Sequence, residues 1–373
     1  MWLLNTAIYW SSLGVLTYTY AGYPMLVSLL AKLKEKKVRK RAIEPSVSMV
    51  MAVRDGESTI QQKIENLLAL NYPSDKKQLI VVSDGSVDRT DDIIRSFADR
   101  KVVYERVETP SGKPNALNRG VARADGDIVV FCDVRQRIDG AALKVLTACF
   151  ADPTVGAVSG ELFIESDKGP GLYWKYEKWI RAAESKVDSV PGATGALYAI
   201  RRSLYEALPA DLLLDDVFTP MQIIQKGYRV IFESNAQVFD TESNPDAEWR
   251  RKARTLAGNY QLLTTLPSLL NPRKNRILFQ FGSHKLMRLV APFALGGLLF
   301  SNIALVVTPA LGRTFYSGSL AAQIAGYGAA LSGALKKEKS GALSRAAYTF
   351  VLLNGAALEG ARRFVMRDYA WTH

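Results

Sequence analysis

Cysteine and histidine are nearly absent from this chain, with two of each in 373 residues. Cys132 and Cys149, with His284 and His373, cannot assemble a disulfide framework or a Cys/His zinc cluster. The cysteines read as small buried apolar side chains, and the region holding them as reduced and cytosolic. A GxxxxGK[ST] phosphate loop is also missing, which excludes the P-loop nucleotide site. There is no internal repeat and no low-complexity stretch. Acids are outnumbered 36 to 48, a net charge of +12. Such a balance suits nucleic acid, an anionic membrane surface or a polyanionic substrate, and the distribution decides among them. Lys32, Lys34, Lys36, Lys37, Arg39, Lys40 and Arg41 follow one long apolar run. Arg273, Lys274, Arg276, Lys285 and Arg288 precede the next. Basic residues gathered at the edges of apolar runs follow the positive-inside pattern, so membrane lipids are the expected partner and nucleic acid is not.

Five segments follow. Leu3 to Leu30 carries no charge, and as a helix it would extend about 42 Å, enough for a hydrocarbon core of about 30 Å. Basic residues follow this run instead of preceding it, so it reads as an anchor (1–31) and not as a signal peptide. Pro24 kinks the helix or marks its interfacial end. A basic linker (32–45) leads to residues 46–268, where short apolar runs alternate with amphipathic patterns. Strands are expected at 47–53, 79–82, 101–107 and 128–132, with helices at 58–70, 89–97 and 114–122 and Ser58 as a cap. This alternation predicts an α/β fold with a doubly wound, mostly parallel sheet. Residues 269–288 read as an amphipathic segment at the membrane surface, and 289–373 as a C-terminal transmembrane region. Within it Leu289–Leu311 spans. Phe315–Leu335 is a softer span rich in small residues, after which Lys336–Lys339 returns to the cytosol. Ala346–Leu358 either spans or lies in the interface.

The chemistry-bearing residues lie at strand ends. Val129–Cys132 is an apolar run that stops at Asp133, which is how an open α/β sheet presents a carboxylate to a ligand. Upstream, Ser111-Gly-Lys-Pro-Asn-Ala-Leu-Asn118 puts Lys113 at a helix start, where an ammonium and backbone amides suit phosphate. Ala52-Val-Arg-Asp-Gly-Glu57 and Val82-Ser-Asp-Gly-Ser86 close the first two strands. Leu214-Asp-Asp-Val217 offers adjacent acids, of which only one can face a given direction. Arg251 and Arg254, three apart on one helical face, form guanidinium forks suited to diphosphate oxygens.

In this order the motifs resemble those of membrane-bound family-2 glycosyltransferases of GT-A fold, which include polysaccharide synthases. The resemblance covers roughly residues 46–290, and transmembrane helices flanking the domain (one N-terminal, two or three C-terminal) agree with it. It implies an inverting transfer of sugar from a UDP-sugar to a hydroxyl of a polysaccharide or lipid-linked glycan, at the cytosolic face of the inner membrane. Asp216 would be the catalytic base. Ala52, Arg54, Glu57, Asp84, Lys113, Asn118, Asp133, Arg251 and Arg254 would bind the donor, with Asp84 reading the uracil imide. Gly195, in Val190-Pro-Gly-Ala-Thr-Gly-Ala-Leu-Tyr198, and Asp215 would lie against the acceptor. Asp133 would hold Mg²⁺ or Mn²⁺ on the diphosphate. Departures from the family pattern are Ser83 for the first acid of Asp-Asp-Gly-Ser, Arg135 for the second acid of Asp-x-Asp, and Thr255 for a tryptophan that stacks beneath the acceptor sugar in processive synthases. Tyr173, Trp174, Tyr176 and Trp179 form either a sugar platform or interface packing. Other polysaccharide-assembly subunits are further partners of such an enzyme. The alternatives are a processive synthase that also extrudes its product and a non-catalytic subunit that binds nucleotide sugar.

Overall fold

The computed structural model describes residues 1–165, 171–241, 245–308, 312–336 and 340–367. The end of the expected span at Leu311, the Lys337–Lys339 return and His373 lie outside them. In chain order the helices and strands are α1 (Trp2–Thr17), α2 (Tyr23–Leu33), β1 (Val47–Val53), α3 (Ile60–Leu68), β2 (Lys77–Asp84), α4 (Thr90–Arg95), β3 (Val102–Val107), α5 (Lys113–Ala122), β4 (Ile128–Cys132), β5 (Arg137–Ile138), α6 (Ala142–Cys149), β6 (Val155–Glu165) and α7 (Leu172–Val187). They continue with β7 (Leu197–Arg201), α8 (Asp215–Gln225), β8 (Arg229–Thr241), α9 (Pro245–Thr265), α10 (Leu278–Phe281), α11 (Met287–Val307), α12 (Arg313–Lys336) and α13 (Ala342–Met366).

The strands form one sheet in the order β3-β2-β1-β4-β7-β6-β8-β5. Its first four strands are parallel, in register Val53 to Ser83 and Val50 to Phe131. The inner strands β1 and β4 and the middle of β2 are almost wholly apolar because both faces are covered, whereas β3, at the sheet edge, carries Glu105 and Arg106. Met49, Met51 and Val81 pack towards α3 and α6, while Val50, Val82 and Phe131 pack towards α5 and α8. In α3 the buried Ile60, Ile64 and Leu67 recur at helical spacing and make the inward stripe. The other half of the sheet is mixed, since β7 runs antiparallel to both β4 and β6 and β5 antiparallel to β8. The expectation of a mostly parallel sheet holds across β1–β4 and for the long β6–β8 pair, and the antiparallel β7 and edge strand β5 are the departures from it. The cap of α3 is Thr59 rather than Ser58, because residues 57–59 form a turn.

Two described helical stretches are long and apolar enough to cross a membrane, Trp2–Leu33 and Leu278–Val307. The first is continuous through a π-turn at Tyr18–Gly22 just before Pro24. The wider turn accommodates a residue that lacks an N–H and clashes with the carbonyl four residues back. α1 packs on α11, with Ser12 and Ile8 against Gly297. Beyond the π-turn, Tyr23, Val27 and Ala31 of α2 instead meet Ile180 and Ala183 of α7, so the lower half of this helix serves as a brace for the α/β domain.

The segment 269–288 is not a single amphipathic helix. It is a 3₁₀ turn, an irregular stretch, and then α10 with a π-turn that runs on into α11. Leu269, Ile277 and Phe281 are buried in the domain core, which ties this segment down. α13 extends well beyond 346–358 and lies along α9: Gly360 touches Ala257 and Leu256, Gly355 touches Trp249, and Tyr260 stacks on Phe364 at 5.8 Å.

Candidate active site

The site grows from three strand ends on one rim of the sheet. After β4, Asp133 accepts a hydrogen bond from Lys113 Nζ at 2.9 Å. Lys113 opens α5 directly after Gly112, whose φ of +87° lets the chain turn into the helix. The same ammonium lies 3.3 Å from Asp215 Oδ1. Asp215 and Asp216 begin α8 and diverge. Asp215 is buried behind Lys113, with Tyr198 Oη donating to its other oxygen at 3.4 Å, whereas Asp216 Oδ2 accepts the Gly195 N–H at 3.1 Å. A Cβ on Gly195 would stand 3.3 Å from Asp216 Oδ2 and 3.7 Å from Asp133 Oδ2. Lys113, Asp133, Asp216 and Gly195 thus converge on one place although more than 100 residues separate them in sequence, and glycine at 195 keeps that place open. Asp215 serves the lysine rather than the acceptor side.

Electrostatics follow from this crowding. Burial and the Asp215 carboxylate push Asp216 up to about 6, against the pull of Lys113 and Lys285. Burial alone would lower Lys113, but Asp133, Asp215 and Asp216 outweigh it and hold the ammonium above its ordinary value.

The remaining candidates divide into those that shape the rim and those that face it. Asp84 accepts the Ser111 and Gly112 N–H groups, both at 2.8 Å, and the Ser111 hydroxyl at 3.1 Å, so it builds the turn that presents Lys113. A carboxylate has about four acceptor positions, which leaves one for a ligand. Glu57 accepts the Arg89 N–H, Asp55 accepts that of Val87, and Gly56 N–H donates to Thr90; these bonds staple the loops after β1 and β2 together. Ala52 is half-buried on β1, and Arg54 lies 3.6 Å from Asp55. Asn118 does not face the rim. Its amide holds the 205–208 segment through Tyr205 Oη and both backbone groups of Leu208.

On α9, Gly258 abuts Leu214 and Leu213, next to the acidic pair. Arg254 and Arg251 lie one and two turns back along that face, where Arg251 pairs with Glu248. Tyr173 and Trp174 take the Lys252 ammonium on their ring faces, at 5.5 and 5.2 Å, which makes them packing partners of α9 rather than a sugar platform.

Arg135 reaches across to Asp240 of β8, Nη2 to Oδ2 at 2.5 Å, and Gln136 donates to the same oxygen at 3.0 Å. Among the described residues no group of three or more His, Cys, Asp and Glu side chains is arranged to hold a metal. Mg²⁺ is commonly held by one or two carboxylates together with substrate phosphates and waters, and Asp133 at the rim fits that role.

Sequence reasoning missed Arg181 and singled out Lys285 only as flanking charge. Arg181 Nη2 donates to Ser159 Oγ at 2.7 Å, the same oxygen accepts the Thr194 N–H at 3.0 Å, and Thr194 precedes Gly195. Arg181 is therefore joined through two hydrogen bonds to the loop that touches Asp216. Nothing local in the Tyr173–Val187 pattern distinguishes this arginine from a solvated one.

Known proteins carry the same signature. Residues 48–208 match Glycosyl transferase family 2. The "Probable glycosyltransferase YdaM" of Bacillus subtilis is 28% identical over 264 residues, covering 63% of this chain and 60% of that protein. The poly-beta-1,6-N-acetyl-D-glucosamine synthase of Staphylococcus aureus is 24% identical over 229 residues, 58% of this chain and 55% of that one. The chain thus spans somewhat over half the length of these relatives. A mannosyltransferase from Pyrobaculum calidifontis, solved with GDP-Man and Mn²⁺, superposes with a TM-score of 0.75 at 22% identity over 96% of this chain and 99% of that one, a likeness of fold that extends through the apolar helices. With the motif residues gathered on one rim of a GT-A-type sheet, the chain carries a glycosyltransferase domain of family 2.

Proposed function

We propose that this protein transfers a sugar from a UDP-sugar to a hydroxyl of a polysaccharide or lipid-linked glycan, with inversion, at the cytosolic face of the inner membrane. The observation that carries the reading is the meeting of Lys113, Asp133 and Asp216 around Gly195. Asp216 takes the proton of the attacking hydroxyl as the new bond to the anomeric carbon forms. Raised to about 6, it is still ionised at neutral pH and more basic than an ordinary carboxylate. The anomeric bond to the diphosphate breaks, and UDP leaves without protonation because Lys113, Arg251 and Arg254 hold its charge. Asp133 would hold Mg²⁺ or Mn²⁺, which on the diphosphate supplies further charge neutralisation.

The apolar stretches Trp2–Leu33 and Leu278–Val307 support membrane association. The close fit of α13 to α9 supports an interfacial, non-spanning α13. Membranes containing the wild type or Asp216→Asn, supplied with a panel of radiolabelled UDP-sugars, test the reading. Transfer by the wild type and none by the variant is expected. Equal transfer by both removes Asp216 as the base, and no UDP release from any donor removes the transferase reading.

A further inference from the structure

Three successive backbone amides of the loop before β7 are divided between two partners. Ala193 N–H donates to the backbone carbonyl of Asp216 at 2.7 Å, and Gly195 N–H donates to its carboxylate Oδ2 at 3.1 Å. Thr194 N–H, between them, turns away and donates to Ser159 Oγ at 3.0 Å. With the middle amide anchored on β6, its two neighbours are left facing Asp216.

Ser159 is built to be that anchor. It is fully buried in β6, opposite Tyr198 of β7 and Phe232 of β8. A hydroxyl offers one donor and two acceptor positions, and here all three are filled. Besides the Thr194 amide it accepts Arg181 Nη2 at 2.7 Å, and it donates to the Gly160 carbonyl at 3.1 Å. Arg181 is itself fixed against the Phe232 ring, 4.8 Å from its centroid. The register between β6 and β8 shifts directly after Ser159, from a partner at Phe232 to one at Gln237 for Glu161. Such irregularities re-aim side chains beside active sites. The backbone has no slack there, since a Cβ on Gly160 would stand 2.7 Å from the Ala236 carbonyl oxygen.

The consequence falls on Asp216. Its Oδ2 is held by the Gly195 N–H, and among the described residues Oδ1 makes no hydrogen bond. A carboxylate pinned at one oxygen presents the other in a set direction. We propose that Ser159 and Arg181 are positioning residues: through the Thr194 amide they hold Gly195 N–H on Asp216 Oδ2, so that Oδ1 takes the proton of the acceptor hydroxyl. That proton moves to Oδ1 as the hydroxyl oxygen bonds to the anomeric carbon, and the bond to the diphosphate breaks with its electron pair leaving on UDP. The inference rests on the proposed transfer for the role of Oδ1, and on the hydrogen bonds alone for the restraint on the loop.

Two measurements on the full-length protein in detergent test it. The first is hydrogen–deuterium exchange of the peptide holding residues 193–197, which needs no turnover. Ser159→Ala removes the acceptor of the Thr194 amide, and Arg181→Gln removes a bond that orients it. Each should speed exchange at Thr194 and Gly195 by at least about tenfold while β4 and α5 keep their protection. The second is transfer kinetics. Both variants should lower kcat by about tenfold to 10²-fold, the scale of a small misplacement of a reacting group, with the donor KM within about twofold. Arg181→Lys keeps a donor for Ser159 and should recover most of the loss. Unchanged exchange in Ser159→Ala overturns the restraint, and a loosened loop with unchanged kcat overturns the positioning role. Faster exchange that reaches β4 and α5, with donor KM rising in step, would assign both residues to the fold and overturn it as well. Ser159→Ala decides the matter alone if Arg181→Gln is unstable. A wild type that transfers from no donor removes the transfer reading and with it the role of Oδ1, while exchange still decides the restraint, so the two failures are told apart.

Discussion

Two groups of buried charge lie within this molecule, and they are built differently. In the cleft, Lys113 faces Asp133, Asp215 and Asp216, so acids outnumber the paired cation, and among the described residues Asp216 bonds only to a backbone amide. Between α7 and the apolar helices, Glu184 takes Tyr23 Oη at 2.5 Å and His284 Nδ1 at 2.9 Å, while Glu177 takes His284 and Arg288. There each acid has a close cationic or hydroxyl partner, and Arg288 with His284 outweighs the cost of burying Glu177, holding its carboxyl well below the usual range. The same residue types give a reactive cluster where charge is left over and a clamp where it is matched. The clamp fastens the domain to both apolar stretches, and the cleft is thereby held next to them.

The largest expected effect separates the two. Asp216→Asn should lower transfer by at least about 10²-fold, the usual contribution of a general base, with UDP affinity retained. It should also raise the melting temperature at neutral pH. A carboxyl whose folded pKa lies above its unfolded value binds protons more tightly when folded, so its ionisation above about pH 6 opposes folding. Removing the charge removes that opposition. A lower melting temperature would show that Asp216 is a structural acid.

In the clamp the sign reverses. Glu177→Gln leaves the Arg288 guanidinium without its carboxylate, beside the Tyr173 hydroxyl at 3.5 Å and the Tyr176 ring, and breaking such a pair costs about 3–5 kcal/mol. Thermal unfolding in detergent should fall accordingly, and any loss of transfer should track unfolding and not the pH profile. A selective loss of activity in a fully folded variant would make the clamp part of the chemistry.

The pH dependence sharpens the contrast at a smaller scale. Transfer by the wild type should rise through about pH 6 and level off as Asp216 ionises. Gly195→Ala brings a methyl group to 3.3 Å from Asp216 Oδ2. It should therefore lower kcat by about tenfold while shifting the rise to higher pH, since a methyl group displaces water from the carboxylate. An unchanged midpoint would argue that Gly195 serves only the backbone turn.

What could be read beforehand follows the same division. The strands β1, β2 and β4 are legible because burial on both faces gives each a run of apolar residues, and the run Val129–Cys132 leads straight into Asp133, whose chemistry stands out. The strands β6 and β8 are hidden by polar residues such as Ser159, Glu161, Glu233 and Asp240, which are buried and satisfied by partners far along the chain. In the site, the motif residues Lys113, Asp133 and Asp216 are visible as motif. Asn118 is visible and misread, because its spacing in the helix is silent about the 205–208 segment it holds. Arg181 and Asp240 cannot be found from local pattern, since their meaning lies in pairs 22 and 105 residues apart.

Arg135 is where the two kinds of cluster meet, and it gives the smallest expected effect. It stands where relatives of this motif order carry an acid facing the donor, so one role for it would be to neutralise the diphosphate. In the structure its guanidinium is engaged by Asp240, which is only 1% exposed and also takes Gln136, so the pair belongs to the matched kind. Arg135 itself is 48% exposed, and a pair open to water on one side contributes on the order of 1 kcal/mol or less. Arg135→Ala should therefore raise the donor KM by less than about threefold and lower the melting temperature slightly. Lys113→Ala, by contrast, removes the cation at the rim and should raise the donor KM by tenfold or more, on the scale of about 1.5–3 kcal/mol for a charged hydrogen bond. If Arg135→Ala matches Lys113→Ala in donor KM, the guanidinium leaves Asp240 when the nucleotide binds, and the cleft then draws one of its cations from what looks like a closed pair.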